Sequence, residues 1–181
     1  MRTARRLLLL SGSATAVAVA ALGFTLPASA APGDTSANVT VTGGSLSITV
    51  PSAAGSLGSA VNQVAGTTIS GALGEVQVND ARSAAAGSGW VATVISTAFT
   101  PSAGPTIAAS LVGYTAGPIA KVGTATYTAN NPADLTGVTA AVTASGITGD
   151  NSATWNPTIV VTVPGGTAAG TYTGTLTHSV T

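Results

Sequence analysis

Apolar and polar residues alternate along most of this chain from Asn38 onward. Leu46, Ile48 and Val50 are interleaved with Ser45, Ser47 and Thr49, and Val76 and Val78 with Glu75, Gln77 and Asn79. Trp90, Ala92 and Val94 share one face, while Val91, Thr93 and Ile95 share the other. Ile159, Val161 and Val163 alternate with Thr158, Val160 and Thr162. A period of two sets one face of a sheet on a core and the other in water. Val and Thr abound, and their branched Cβ atoms favour extended backbone. Gly and Pro recur about every ten residues, the spacing that short strands with tight turns require. The pattern predicts about nine or ten strands in an all-β fold, an antiparallel β-sandwich with immunoglobulin-like features. Residues 53 to 65 fit least well. There Leu57, Ala60, Val61 and Val64 allow a helix of one or two turns, or two strands with a loop.

The last strand is the cleanest. Tyr172, Gly174, Leu176, His178 and Val180 lie on one face, and Thr171, Thr173, Thr175, Thr177 and Ser179 on the other. Pro164 to Gly170 form a corner just before it. A tyrosine placed as Tyr172 is expected to hydrogen-bond back to the corner's backbone, as in a tyrosine corner.

The first thirty residues change the picture most. Arg2, Arg5 and Arg6 precede an uncharged stretch opening at Leu7, and Ala28-Ser29-Ala30 presents small residues where a signal peptidase reads. Residues 1–30 are therefore expected to be a secretory signal peptide cut after Ala30. The Arg5-Arg6 pair leaves the general secretory and twin-arginine routes both open. Residues 31–37 read as a flexible leader and 38–181 as a single domain. The expected mature protein keeps Arg82 and Lys121 against Asp34, Glu75, Asp80, Asp134 and Asp150, a net charge of −3. Such a surface has no basic patch for nucleic acid or anionic lipid. No membrane insertion is expected once the signal is removed. Cysteine is absent, so the core alone must hold the domain, and thiol catalysis and Cys-ligated zinc are excluded. No apolar tail follows the last strand, so the protein is expected to be either freely secreted or held at the surface non-covalently.

Three segments resemble the WxL-domain proteins of Gram-positive bacterial surfaces. Leu73 to Arg82 is a strand ending in an Asp-x-Arg pair. After a Gly/Ala/Ser loop comes Gly89-Trp90-Val91-Ala92-Thr93-Val94, similar to the family's first Trp-x-Leu motif, with Phe99 nine residues after the Trp. Gly170 to Val180 looks like the C-terminal strand that carries the second motif. Ala92 stands in place of the first Leu, His178 in place of the second Trp, and Val180 in place of the second Leu. The resemblance implies a single WxL-like β-sandwich domain at the cell surface, attached non-covalently to peptidoglycan.

Six residues stand out as candidates for binding. Trp90 is expected to be a core residue, with a sugar platform as the alternative. Trp155, beside Asn156-Pro157, is expected to be part-exposed and to serve packing or contact. Asp80 and Arg82, two apart on a strand, point the same way. They are expected to order the following loop, or else to meet a ligand carboxylate through the guanidinium. Tyr172 belongs to the corner. His178, the lone histidine, is expected on the rim of an apolar face. No Gly-x-Ser-x-Gly elbow accompanies it, no second His or Cys accompanies it for a metal, and the acids are scattered. Asp134 and Asp150 sit in contexts expected to shape turns. The sequence thus predicts no catalytic residues, no metal and no cofactor. It predicts a secreted, non-enzymatic module that contacts cell-wall glycan or other surface proteins. The alternative is a self-associating structural or adhesive subunit.

Overall fold

Strand alternation carries through to the computed structural model, which describes residues 36–181. The expected signal peptide, its cleavage site and residues 31–35 of the leader lie outside the described residues. Ten strands form: β1 (Leu46–Thr49), β2 (Thr67–Ala72), β3 (Val76–Ser96), β4 (Thr100–Pro101), β5 (Val112–Thr115), β6 (Ile119–Ala129), β7 (Thr139–Trp155), β8 (Thr158–Val163), β9 (Tyr172–Thr173) and β10 (Leu176–Val180). A 3-10 turn at Ala109–Leu111 is the sole helical piece among the described residues. All the strand pairings are antiparallel.

The strands make an all-β fold with three sheets. The five-stranded sheet runs β1-β3-β7-β6, and β10 also pairs with β3. β1 covers Gln77 to Asp80 of β3, and β10 covers Ala92 to Ser96. The three-stranded sheet runs β2-β8-β5, and β4 pairs with β9. Buried side chains of both larger sheets belong to one core: Val76, Val78, Trp90, Ala92, Val94, Ala153 and Trp155 from the first, and Val112, Tyr114, Ile159, Val161 and Val163 from the second.

Several strands differ from the sequence reading, each for a local reason. Residues 83–88 are not a loop. They stay within the 21-residue β3 and remain paired with β7 through Ala84–Gly149 and Ser88–Ile147. The ladder absorbs the small residues as bulges, with register shifts on both sides of these pairs. Asp150 and Asn151 do not shape a turn either; they lie inside β7. Gly146 and Gly149 take φ of 63° and 71°, a conformation that glycine reaches freely, so they bend the strand without ending it. Asp134 does shape a turn, accepting from the Thr136 backbone N–H at 2.8 Å and its hydroxyl at 2.6 Å. Residues 53–63 form neither helix nor strand, and a turn follows at Val64-Ala65. Asn38 to Thr42, despite their alternation, are also unpaired.

Candidate functional site

Period two along β3 puts Asp80 on the face of Val76 and Val78, so a carboxylate enters the core with no exposed surface. Burying a charge is costly unless it is paired and hydrogen-bonded. Arg82, two residues on and therefore on the same side, donates from Nε to Asp80 Oδ1 at 2.8 Å and from a terminal nitrogen to Oδ2 at 2.9 Å. Its backbone N–H adds a third bond at 3.1 Å. The Arg82 side chain is itself 37 % exposed, so the guanidinium stays half in water while it neutralises the acid. Its hydrogen bonds, foremost, hold the Asp80 carboxyl below the usual range and raise the guanidinium in turn.

Asn151 lies opposite Asp80 in the ladder and extends this network inward. Its amide nitrogen donates to Asp80 Oδ2 at 3.2 Å, and its oxygen accepts from the Trp90 indole N–H at 3.0 Å and the Tyr127 hydroxyl at 3.2 Å. The Trp90 and Tyr127 rings lie 5.7 Å apart and tilted. Ser83, the one described non-glycine residue with a positive φ (53°), is clamped where the strand kinks. Its N–H and hydroxyl both reach Asp150 Oδ1, at 2.9 and 3.2 Å.

A second cluster joins the two larger sheets. The Trp155 indole N–H donates to the Tyr114 hydroxyl at 2.7 Å. That hydroxyl also lies 3.3 Å from His178 Nε2, with the two rings 5.6 Å apart. An indole nitrogen can only donate, so the Tyr114 oxygen accepts from it. The Tyr114–His178 contact runs from the hydroxyl to Nε2 when the imidazole carries its proton on Nδ1, and from Nε2 to the hydroxyl oxygen in the other tautomer. Burial pushes the Tyr114 phenol up to about 12 and the His178 imidazole down to about 4. Both are neutral near neutral pH.

His178 also lines a cleft of about 810 Å³. Its floor is the edge of the core: Leu73, Phe99, Ile107, Val161 and Val163. One wall is the irregular strap Val50–Asn62, and the other is the corner Thr167–Thr175. Leu57 anchors the strap against the core, and the Asn62 side-chain amide ties it to the Thr167 carbonyl at 2.5 Å. Tyr172 braces the corner by donating its hydroxyl to the Ala168 carbonyl at 2.9 Å. Gly174 lies so close to Phe99 that an added Cβ would sit 2.7 Å from the ring. Among the described residues, no Asp, Glu, Lys or Arg lines the cleft. Hydroxyls of Ser, Thr and Tyr, the Asn62 amide and the His178 imidazole supply its side-chain polarity.

The six residues singled out from the sequence divide accordingly. Tyr172 and His178 face the cleft. Trp90 is a core residue, 2 % exposed, and its indole finds the Asn151 side chain rather than a backbone carbonyl. Asp80 and Arg82 form the expected pair, which orders a kinked strand rather than a loop. Trp155 departs from expectation: it is 2 % exposed, because it shares the inward face of β7 with Asn151 and Ala153 and the Asn156-Pro157 pair forms the tight link to β8. The sequence reading passed over Tyr114, Tyr127 and Asn151. The period-two spacing of Asn151, Ala153 and Trp155 was the available signal that Asn151 points inward.

Among the described residues, no three His, Asp or Glu side chains gather where a metal ion could be held. No helix among them is long and apolar enough to cross a membrane. Comparison with protein-family models, with curated proteins and with solved structures returned no match for this chain.

Proposed function

We propose that this chain is an exported, non-enzymatic contact module of the bacterial cell surface, attached non-covalently to cell-wall glycan or to another surface protein. The charge-free cleft carries this reading. A neutral sugar ring offers an apolar face together with hydroxyl and acetamide groups. It suits a site with an apolar floor and hydroxyl-bearing walls, where no charge is left to desolvate. The signal-like first thirty residues and the WxL-like segments support the same reading. So does the presence of Tyr172 and His178, both from the WxL-like C-terminal segment, in the cleft. In this reading the two larger sheets face each other as an immunoglobulin-like β-sandwich. The bonds from Trp155 of β7 and His178 of β10 to Tyr114 of β5 support that packing.

The test is co-sedimentation of the mature protein with purified bacterial cell walls. The parent protein is expected to pellet. Ala60→Trp and Thr171→Trp, which crowd the cleft from exposed positions on its two walls, are expected to stay in the supernatant while remaining folded. Pelleting no greater than that of an unrelated secreted protein removes wall binding. Pelleting unaffected by both substitutions moves it away from the cleft.

A further inference from the structure

We propose that copies of this chain join head to tail, with the segment Asn38–Thr42 of one molecule adding as a strand to the free edge of β6 in the next. This is independent of what the cleft binds. Two observations carry it. The first is the segment itself. Asn38-Val39-Thr40-Val41-Thr42 has the alternation of a half-buried strand, yet it pairs with no strand among the described residues. Val39 and Val41 are 88 % and 80 % exposed. β-branched residues repeated at a spacing of two fit a pleated, half-covered surface rather than open solvent.

The second is the acceptor. β6, at 11 residues, is the longest strand with an unpaired side among the described residues, since it pairs with β7 alone. Its first half carries the devices that block edge pairing, the charge of Lys121 and a register shift around Gly123. Its second half, Thr124 to Ala129, carries no charge and no proline, and the second register shift, between Thr124 and Thr126, leaves its exposed and half-buried positions alternating. Ala125 and Tyr127 are half-buried against the core, and Thr124, Thr126 and Thr128 are exposed. A strand laid beside them with Val39 and Val41 on the Ala125–Tyr127 face continues that apolar face. Thr40 and Thr42 then continue the hydroxyl face.

The chain cannot do this to itself. Just after Thr42 it is held on the far edge of the sheet, where Gly44 N–H donates to the Ala81 carbonyl at 2.5 Å and Ala81 N–H to the Ser45 carbonyl at 3.0 Å. From there to the free side of β6 the chain would have to pass β3 and β7, roughly 15–20 Å at about 4.8 Å per strand. Donor and acceptor are different surfaces, so the contact is heterologous and propagates instead of closing into a dimer. A strand of five residues makes a small interface, which gives a weak, concentration-dependent series of oligomers.

The experiment uses the mature chain, which has no native cysteine. Sedimentation velocity from micromolar to several hundred micromolar is expected to show a rising series of species. It is expected to show a single monomer for the double variant Val39→Asp, Val41→Asp. Both positions are almost wholly exposed, so an unchanged circular dichroism spectrum confirms that this variant folds. Mixing a Thr40→Cys chain with a Thr126→Cys chain, two positions on the same hydroxyl face of the proposed pairing, under mild oxidation is expected to give the mixed disulfide. Thr162→Cys, exposed on the central strand β8, is expected to give none. A parent that stays monomeric throughout overturns the proposal. So does a double variant that associates like the parent, or cross-linking no better at Thr126 than at Thr162. Wall pelleting by the double variant is expected to be retained, which keeps this test separate from that of the cleft.

Discussion

The Trp155 indole nitrogen lies 2.7 Å from the Tyr114 hydroxyl, and this bond crosses from β7 in one sheet to β5 in the other. Both rings are buried. The Tyr114 oxygen thus holds two otherwise unpartnered groups, the Trp155 N–H and His178 Nε2. Tyr114→Phe keeps the ring and removes that oxygen. It should cost about 1–3 kcal/mol, the penalty for leaving a buried polar group unsatisfied. Urea unfolding monitored by tryptophan emission measures it.

His178 makes stability depend on acid. Its folded value, about 4, lies below the ordinary histidine value of 6.5. Between those two pH values the unfolded chain binds a proton that the folded chain refuses, so stability falls as pH falls through that window. The titratable group facing the imidazole, Tyr114, stays protonated throughout and adds no charge. The urea midpoint should drop between pH 6.5 and 4 in the parent. In His178→Gln, which keeps a hydrogen-bonding side chain without the titration, it should stay level.

Asp80 acts in a separate window. Its folded value is lowered from 3.8, chiefly by the Arg82 hydrogen bonds. The stability it contributes is therefore present above that ordinary value and is lost as pH falls through the lower folded one. Arg82→Ala leaves the buried carboxylate with Asn151 and one backbone N–H. The cost should be about 2 kcal/mol, short of the 3–5 kcal/mol for a fully orphaned buried charge. Denaturant unfolding at neutral pH gives the value.

Gly174 sets the distance between the corner and the core. Gly174→Val drives side-chain atoms into the Phe99 ring, whose carbons stand 2.7–2.9 Å from the position of an added Cβ. Overpacking of this kind costs about 1–3 kcal/mol, and the thermal midpoint should fall accordingly.

How much of this was legible depended on whether a local pattern had one physical meaning. The Trp90–Ala92–Val94 face and the Ile159–Val161–Val163 face were readable because strict alternation beside turn residues admits a single arrangement. The Tyr172 bond to its corner was readable for the same reason. Glycine was the ambiguous letter. Gly87, Gly146 and Gly149 all have positive φ, which serves a turn and a bulge alike, so two long bent strands read as several short ones. The aromatic Trp155 misled because Pro157 beside it suggested an open strand end, whereas same-face neighbours two and four residues back decide burial. The cleft was unreadable in principle. Its strap is a run of Ser, Ala and Gly whose course is fixed by distant partners, Gly71 beneath Leu57 and Thr167 beyond Asn62.

The absence of ionic side chains from the cleft has a consequence for the medium in which the domain operates. Mobile ions screen interactions between fixed charges and leave contact between neutral surfaces largely alone. Under the proposed function, a neutral ligand seated between strap and corner would be held about as well in brine as in fresh water, its grip answering to shape and desolvation more than to dissolved salt.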